Sequence, residues 1–445
     1  MTLPRYGEYR ASGVTWLGSV PSHWSVMPIR YAARLESGHT PSRSRPDWWE
    51  NCNVPWFSLA DVSQIRRDGA DVIYETKEMV SELGLQNSSA RKLPAGTVML
   101  SRTASVGFSA IMGVEMATTQ DFANWVCGPS LRPRFLLHVF RAMHGEFRRL
   151  MFGSTHSTIY MPDISALRFV LPSLSEQDAI VDFLERETAK IDALIEQQEK
   201  LIALLAEKRQ ATISHAVTRG LDPDAPMKDS SVAWSGDVPE HWDVTRLKFV
   251  ATVQTGIAKG KDTTGKSTTA VPYLRVANVQ DGFLALDDIA TIEIEAEQLD
   301  RYRLTPGDVL MNEGGDFDKL GRGAVWHGEI LDCIHQNHVF AVRPHGVSAA
   351  WLSRVTSSGY ARFYFMGRSK QSTNLASISS SNIMELPLVL PPLEEQHHVM
   401  KLLDDELARL DALNSTAAKA VRLLQERRSA LIAAAVTGQI DVRAA

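Results

Sequence analysis

The chain contains two consecutive copies of one sequence unit, and this duplication limits the possible folds more than any other feature. Three motifs recur at a spacing of 218 or 219 residues: WLGSVPSHW (16–24) as WSGDVPEHW (234–242), LPSLSEQ (171–177) as LPPLEEQ (390–396), and AVT (216–218) as AVT (435–437). An offset that holds at both ends of a unit predicts two equivalent structural halves. Because the segments between the motifs diverge, we favour two readers of different targets over a duplicated scaffold without functional meaning.

Each copy ends in a segment with the pattern of a long helix. Pro172, and later Pro391 and Pro392, mark the helix starts because proline cannot continue a preceding helix. A seven-residue apolar pattern, interrupted at equivalent places by Glu187 and Glu406, predicts a coiled-coil seam. The predicted seam residues are Leu184, Ile191, Leu194, Leu201 and Leu205 in the first helix and Leu403, Leu410, Leu413 and Leu424 in the second. One such helix is unstable alone, so we expect the two to pack antiparallel.

The predicted fold class is α+β, with two mixed α/β heads separated by a two-helix antiparallel coiled coil in a pseudo-two-fold repeat. Short β-branched and aromatic runs alternate with Gly and Pro turns in both heads. We expect head one at residues 1–170, a central helical arm at 171–220, head two at 221–389, and a distal helical arm at 390–445.

The charge balance argues against a simple basic nucleic-acid binder, since the net charge is −5 and the pI is near 6.2. The acidity lies on the predicted helices 175–218 and 394–437, which hold 11 basic and 16 acidic residues. Residues 1–174 hold 18 basic and 14 acidic residues, so a DNA-facing patch is compatible with the composition there.

Several general features predict a cytoplasmic protein without a membrane partner. No apolar run approaches the roughly 20 residues that cross a bilayer, and the first ten residues lack a signal-peptide pattern. Cys52, Cys127 and Cys333 lie far apart, which suits a reducing compartment better than a disulfide framework.

The candidate DNA-binding residues are cations and amides in polar loops. A loop rich in small and basic residues follows Gly38 in head one and Gly256 in head two, and such loops suit contact with phosphates. Arg also matches guanine edges, and Asn or Gln matches adenine edges. The candidates in head one are Ser42, Arg43, Arg45, Arg66, Arg67, Arg91, Lys92 and Arg102. Those in head two are Lys259, Lys261, Lys266, Lys319, Arg322, Gln336, Asn337, Arg368, Lys370 and Gln371. Each could instead be an ordinary solvated side chain.

A search for catalytic motifs finds one pattern in the wrong context. Residues 260–267 (GKDTTGKS) fit the phosphate-loop pattern, which should open a helix, but Pro272 soon keeps the chain extended. GxSxG, HExxH, adenine-methyltransferase tetrapeptides and a nuclease pattern are absent from the sequence. The pairs His335/His338 and His397/His398 do not have metal-site spacing. We therefore expect no catalytic residue, metal or cofactor in this chain.

The two long motifs together resemble the type I restriction–modification specificity subunits. The first motif has Trp16, Gly18, Pro21, His23 and Trp24 in head one and Trp234, Gly236, Pro239, His241 and Trp242 in head two. The second motif has Leu171, Pro172, Leu174, Glu176 and Gln177. One departure is Ser235, where the first copy has Leu17. The resemblance covers the whole chain in the order head, arm, head, arm.

This resemblance implies a non-catalytic, sequence-specific DNA-binding subunit of a bacterial or archaeal host-defence complex. Each head would be a target recognition domain that reads one half of a bipartite, asymmetric site in double-stranded DNA. The arms would set the half-site spacing and dock two modification subunits, which use S-adenosylmethionine to methylate adenine. Two restriction subunits would supply ATP- and Mg²⁺-dependent translocation and cleavage.

Two other functions are compatible with parts of the sequence. One is a coiled-coil adaptor whose heads bind proteins. This alternative would be favoured if the assembled complex showed no salt-sensitive DNA binding. The other is an NTPase that uses the loop at Gly260. This alternative would be favoured if the purified chain hydrolysed ATP and Lys266→Ala abolished that activity.

Overall fold

The computed structural model describes residues 4–66, 69–153, 157–233, 235–259, 266–315, 317, 320–371 and 376–444. Contacts divide the chain into two units, residues 1–199 with 419–445 and residues 200–418. Each unit thus contains one head and a part of each of two long helices. The boundaries of heads and arms given above stay a prediction, since the units are cut within the helices.

Head one is a mixed α/β domain. Its strands are β1 (Tyr9–Ala11), β2 (Ser19–Pro21), β3 (Ser25–Pro28), β4 (Ala33–Ser37), β5 (Val54–Phe57), β6 (Val72–Ile73), β7 (Glu78–Val80), β8 (Val98–Ser101), β9 (Ser109–Met112), β10 (Ala117–Thr118), β11 (Phe122–Cys127) and β12 (Arg168–Leu171). Its α-helices are α1 (Val62–Arg66), α2 (Glu82–Gln86), α3 (Pro133–Ala142), α4 (His144–Leu150) and α5 (Met161–Ala166), and the long α6 (Leu174–Arg219) follows.

The main sheet of head one has the order β4-β11-β8-β9-β6, antiparallel except for the parallel pair β6 and β9. Smaller sheets are β10-β5-β7, β12-β3 and β1-β2. Helix α3 begins with Pro133, whose fixed φ suits the first turn. Its buried Phe135, Val139 and Phe140 share one apolar core with Val98 of β8.

Head two repeats this arrangement. Its strands are β13 (Met227–Asp229), β14 (Asp237–Pro239), β15 (Asp243–Arg246), β16 (Ala251–Thr255), β17 (Thr268–Leu274), β18 (Ala290–Glu295), β19 (Val309–Asn312), β20 (Gly314–Gly315), β21 (Gly323–Val325), β22 (Ile334–His335), β23 (Val339–Pro344), β24 (Lys370–Gln371), β25 (Ala376–Ser377) and β26 (Pro387–Leu390). Its α-helices are α7 (Leu299–Tyr302), α8 (Ala349–Thr356), α9 (Gly359–Arg368) and α10 (Ser380–Met384), and the long α11 (Leu393–Val436) follows.

The sheets of the two heads correspond strand by strand. The order β16-β23-β19-β21 in head two matches β4-β11-β8-β9 in head one, and β15-β26 matches β3-β12. Head two also has a small sheet, β20-β25-β24, where head one has only isolated bridges at Thr103–Thr158 and Phe152–Thr158. The frame is therefore duplicated, while the loops on it differ.

The long helices pack antiparallel within each unit. In the first unit Asp192 accepts a hydrogen bond of 2.7 Å from Arg428 Nε, and Ile180, nearer the start of α6, shares a core with Ile432, farther along α11. In the second unit Arg209 Nε donates to Asp411 at 3.2 Å. The two ion pairs occupy equivalent positions of the repeat with the partners exchanged. The α+β class and the antiparallel helix pair predicted from the sequence are confirmed.

The face of each helix that is buried differs from the predicted seam. Leu184, Ile191 and Leu205 are buried, as are Leu403 and Leu410, and Leu424 is half-buried. However, Leu194, Leu201 and Leu413 have side chains that are 45%, 41% and 55% exposed, so the prediction was wrong at these three positions.

At Leu194 and Leu201 the more buried position lies one residue later, at a spacing of four rather than three from Ile191 and Gln198, whereas Asn414, the residue after Leu413, is exposed as well. Thr188 and Leu407 are buried, and Ile195 and Ile202 are half-buried. Both spacings are compatible with one helix face. In α6, apolar residues stand at both, as in Leu194 and Ile195, so the packing partner decides which one is covered. None of the described helices has an apolar window long enough to span a membrane.

Candidate nucleic-acid interface

The first motif of each copy contacts the second motif through one carboxylate. In head one, Trp24 Nε1 donates to Glu176 Oε1 at 3.2 Å, and His23 Nε2 lies 2.9 Å from the same oxygen. In head two, Trp242 Nε1 donates to Glu395 Oε1 at 3.0 Å, and His241 Nε2 lies 2.8 Å from Glu395 Oε2. These three-residue clusters, which we call the arm anchors, attach each head to the start of the helix that follows it.

The glutamine beside each anchor glutamate completes the attachment. Gln177 Oε1 accepts from the backbone N–H of Arg132 at 2.8 Å, and its Nε2 donates to the Pro172 carbonyl at 3.0 Å. Gln396 makes the same pair of bonds with Ser348 and Pro391, both at 2.9 Å. Both glutamines are buried. The EQ dipeptide therefore satisfies backbone groups that would otherwise be buried without partners.

The end of the opposite helix also meets the anchor tryptophan. Gly438 follows α11 with φ +73°, and a Cβ there would lie 2.4 Å from Pro21 Cδ and 2.8 Å from Trp24. Gly220 follows α6 with φ +71° and faces Trp242 in the same way. The repeated glycine is thus required by a left-handed turn and by close approach.

The other residues of the first motif shape the turn before the anchor. Gly18 and Gly236 have φ values of +61° and +66°, and Pro21 and Pro239 end paired strands. Trp16 Nε1 donates to the Arg168 carbonyl of β12 at 3.2 Å. Its counterpart Trp234 lies outside the described residues.

The anchor carboxylate of head one has a perturbed acidity. Burial by itself would raise the pKa of Glu176, but hydrogen bonds from His23, Trp24 and Ser173 outweigh it and lower the pKa below the ordinary value of glutamate. The carboxylate is therefore ionised near neutral pH, where it also lies 3.7 Å from Arg443 Nη1.

The loops that differ between the heads meet at one end of each main sheet. In head one, Ser37 of β4 pairs with Ala123 of β11, and Ser101 of β8 pairs with Phe122, so these strand ends lie together. The other end of β4, at Ala33, is separated from β3 by four residues, and β3 pairs with β12, which leads into the arm anchor. The loops therefore lie at the sheet end opposite the arm anchor, and we call them the distal loops: 38–45, 101–105, 118–121 and 157–159 in head one.

Hydrogen bonds tie the distal loops of head one together. His39 N donates to the Thr118 carbonyl at 3.0 Å, and Thr40 Oγ1 donates to Gln120 Oε1 at 2.7 Å. Arg102 Nε donates to the Gln120 carbonyl at 3.0 Å. Gly38 permits this assembly, because a Cβ there would lie 2.1 Å from the Thr119 carbonyl oxygen.

The equivalent loops of head two converge in the same way. They are the distal loops of that head: 256–259, 312–315, 336–338 and the described part of 370–378, which excludes 372–375. Ile257 N donates to the His335 carbonyl at 3.0 Å, and Glu313 N donates to the His338 carbonyl at 2.9 Å. Strand β25 joins β20 to β24 at this place. Gly256 is required here as Gly38 is in head one, since its Cβ would lie 2.0 Å from the His335 carbonyl oxygen.

Five of the candidate residues of head one lie at or beside the distal loops. Ser42, Arg43 and Arg45 lie in the first loop and Arg102 lies in the second. The guanidinium of Arg66 lies 5.5 Å from the ring centroid of Phe108, whose carbonyl accepts from Ser101 N. The guanidinium carbon of Arg43 lies 3.7 Å from the ring centroid of Trp49, and Arg43 Nη2 donates to Glu78 Oε2 at 2.6 Å. Arg45 Nη2 pairs with Asp47 Oδ2 at 2.9 Å.

The remaining candidates of head one have other surroundings. Arg91 is 3.6 Å from Glu36 of β4, and Lys92 lies between Glu82 and Glu115 at 3.1 and 3.3 Å. Arg67 lies outside the described residues. Exposed pairs of this kind contribute little to stability, so a phosphate can compete for these cations.

In head two the structure brings Lys259, Gln336, Asn337, Lys370 and Gln371 together at the distal loops. Asn337 N donates to the Ile257 carbonyl at 3.2 Å, and β24 holds Lys370 and Gln371 beside β25. Lys259, Lys370 and Gln371 are exposed, while Gln336 and Asn337 are half-buried.

Of three other candidates of head two, Lys266 and Arg368 lie away from the distal loops, while the carbonyl of Arg322 accepts from Asn312 N at 3.1 Å beside them. Lys266 pairs with Glu295 at 2.7 Å beside β18. Arg322 lines a cavity of about 310 Å³ with Asp281 and Arg362. Arg368 lies 5.6 Å over Tyr364, next to Pro387. Lys261 and Lys319 lie outside the described residues.

The sequence search missed the side chains whose position depends on the turn geometry. Thr40, Gln120, Glu313 and His338 all lie in the distal loops and bond there to neighbouring side chains. The search favoured cations, so a glutamate was not considered. The duplication could have found it, because Glu313 follows β19 as Arg102 follows β8.

The described residues contain no group of three His, Cys, Asp or Glu that could hold a metal ion. Burial raises the pKa of the Cys127 and Cys333 thiols to about 12, which leaves them protonated and unreactive. After the phosphate-loop pattern, whose residues 260–265 lie outside the described part, the chain forms strand β17 rather than the helix that a phosphate loop opens.

Comparison with known proteins gives a consistent result. Residues 21–204 match the family model described as type I restriction modification DNA specificity domain. The type I restriction enzyme StySPI specificity subunit of Salmonella potsdam is 20% identical, with 96% of this chain and 91% of that protein covered. The MjaIX specificity subunit of Methanocaldococcus jannaschii is 21% identical, with 96% of both chains covered. A solved chain of a type I R-M system, 19% identical, has the same fold with a TM-score of 0.65 and covers 94% of this chain and 98% of that one.

Proposed function

This chain belongs to the type I restriction–modification specificity subunits, and on that premise we propose that each head reads one half of a bipartite DNA site. As a specificity subunit it is the non-catalytic DNA-reading component, without a cofactor of its own. Head one would read one half-site and head two a different one, because the distal loops differ between two equivalent frames. The site would be asymmetric for the same reason.

The observation that carries this proposal is the contrast between frame and loops. Anchor residues such as Trp24 and Trp242 repeat in kind and in contacts, whereas the described parts of the distal loops share little beyond their first glycine and the equivalent Ile159 and Ile378. Cations and amides lie in those loops, which are the groups that bind phosphates and read base edges. Two domains that share one frame but recognise different half-sites require a repeated anchor and divergent loops that carry such groups.

We propose that the arms set the gap between the half-sites and dock the partners. A helix of 46 residues, such as α6, is about 69 Å long and stiff when paired. Exposed apolar side chains on α6 (Leu194, Leu201, Leu204) and on α11 (Leu402, Leu413, Leu423) provide surface for further helices. Two modification subunits would dock there, and two restriction subunits would complete the complex.

The chemistry would then reside in the partners. The modification subunits would bind S-adenosylmethionine and methylate adenine, and the restriction subunits would use ATP and Mg²⁺. The proposed domain division is head one at 1–170, the central arm at 171–220, head two at 221–389 and the distal arm at 390–445. The complex would work in the cytoplasm, where it meets the DNA of a bacterial or archaeal cell.

The test is co-expression of this chain with its modification subunit, followed by mapping of methyladenine on genomic DNA. We expect one motif of two unlike half-sites with a fixed unread gap. Binding of the complex to a duplex with that motif should weaken steeply as salt rises, because phosphate contacts release counterions. Absence of a bipartite motif, or binding without salt dependence, would favour the protein-binding adaptor instead.

A further inference from the structure

One carboxylate lies among the cations and amides in the described distal loops of head two. Glu313 directly follows β19, and its Oε2 lies 2.7 Å from His338 Nδ1. Its backbone is fixed as well, because Glu313 N donates to the His338 carbonyl and the Glu313 carbonyl accepts from Ile378 N at 2.8 Å. The carboxylate is thus oriented before any ligand arrives, which reduces the ordering cost of binding.

The equivalent position in head one holds a side chain of opposite hydrogen-bonding character. Arg102 directly follows β8, and its N–H donates to the Asp121 carbonyl, as that of Glu313 does to His338. Its guanidinium donates two of its five N–H groups to the carbonyls of Gln120 and Ile159. One frame position therefore carries a donor in one head and an acceptor in the other.

A carboxylate at this place is unsuited to phosphate contact, since like charges repel. In the major groove, however, a carboxylate matches the amino group of cytosine, and the exocyclic amino groups of cytosine and adenine are the donors there. The side chain of Glu313 is 30% exposed and that of His338 is 55% exposed, so the pair is accessible from solvent. Lys259 and Lys370 in neighbouring loops offset the negative charge.

We propose that Glu313 is a specificity-determining residue of head two and that its carboxylate accepts a hydrogen bond from an exocyclic amino group of a DNA base. His338 is the positioning residue that orients this carboxylate. Arg102 is the counterpart in head one and donates to an acceptor edge such as that of guanine. The inference rests on the proposed function, since it assigns a base contact to the distal loops.

The test uses the complex of the full chain with its modification subunit. After the wild-type motif is mapped, methylation rates are measured on duplexes that carry each base pair at each position of both half-sites. We expect wild type to prefer an amino-bearing base at one position of one half-site by roughly 5- to 150-fold. Glu313→Gln should largely abolish that preference, leaving it below about twofold, and should leave the other half-site unchanged.

Three further variants make the result specific. Glu313→Arg should shift the preference at the same position toward guanine. Arg102→Gln should change a position of the other half-site only. Glu385→Gln is the matched control, because Glu385 is an exposed carboxylate that pairs with Arg246 and Lys248 on the frame of head two. It should leave every preference unchanged, and all variants should keep the wild-type melting temperature.

The outcomes separate this inference from the function beneath it. If the wild-type complex methylates no bipartite motif, the proposed function fails. If wild type has such a motif and Glu313→Gln keeps every base preference, the inference fails alone. A uniform fall in rate on all duplexes would also overturn it, since that result indicates a general role in binding. If Glu313→Gln melts early, the reciprocal Arg102→Gln decides in the same assay.

Discussion

Replacing the anchor glutamates by alanine should destabilise the two units to different degrees. In head one, Glu176→Ala leaves the buried Trp24 N–H without a partner, which costs about 1–3 kcal/mol. It also removes a capping interaction, because Glu176 Oε2 accepts from Ser173 Oγ at 2.9 Å and from Ser173 N at 3.3 Å. Losing a helix cap costs typically about 1 kcal/mol. The expected sum is about 2–4 kcal/mol.

The matched change in head two should cost less. Glu395→Ala leaves the Trp242 side-chain N–H without its hydrogen-bond acceptor in the same way. However, the residue equivalent to Ser173 is Pro392, which has neither a hydroxyl nor an N–H to donate. The Glu395 side chain is also 31% exposed, against 8% for Glu176, so water replaces it more easily. We expect about 1–3 kcal/mol, roughly 1 kcal/mol less than in head one.

The assay is urea unfolding of the full chain combined with hydrogen exchange, which assigns each loss to one unit. For units of this size, the loss in head one corresponds to a drop in melting temperature of roughly 4–16 °C. Equal losses in the two variants would refute the capping contribution. A loss below about 0.5 kcal/mol in both would refute the anchors as a source of stability.

Three further outcomes are expected. Leu407→Ala should cost about 2–5 kcal/mol in urea unfolding, whereas Leu413→Ala should cost under about 0.5, because the first is buried and the second is 55% exposed; similar costs would contradict the revised seam. Folding lowers the pKa of Glu176, so its carboxylate stabilises the folded chain above the ordinary glutamate pKa, and this stabilisation is lost as pH falls through the folded-state value. The difference in unfolding free energy between wild type and Glu176→Gln should therefore narrow in acid. A difference that stays constant with pH would contradict this role of Glu176. Removing seven residues from each arm, 197–203 and 416–422, shortens each helix by about 10.5 Å and should shorten the methylated gap by about three base pairs in a methyladenine map; an unchanged gap would exclude the arms as the ruler.

The arm anchors show how much of this molecule follows from sequence motifs. The repetition of WxGxVPxHW and LPxLxEQ marks both motifs, but their spacing along the chain did not predict that they contact each other. The bonds of Trp24 to Glu176 and of Trp242 to Glu395 give the reason for the repetition. A local motif is predictable because its residues satisfy one another wherever the motif occurs.

The seam could be predicted only in part, because α6 offers apolar residues on two adjacent faces. Leu194 and Ile195 stand side by side in the sequence, and the helix period alone accepts either one. In the structure Ile195 is half-buried, whereas Leu194 is 45% exposed. The choice depends on the rotation of both helices, which no single segment specifies.

The candidate site depended even more on tertiary structure. Arg102 was chosen for its charge, and Glu313 was passed over for the same reason, although they hold equivalent places after β8 and β19. The sequence by itself determined the duplication, the α+β class, the long helices and the residues that join them to the heads. Only the tertiary structure decided which helix face is covered and which loops meet at the end of each sheet, because those contacts join residues far apart in the chain through strand pairing and packing.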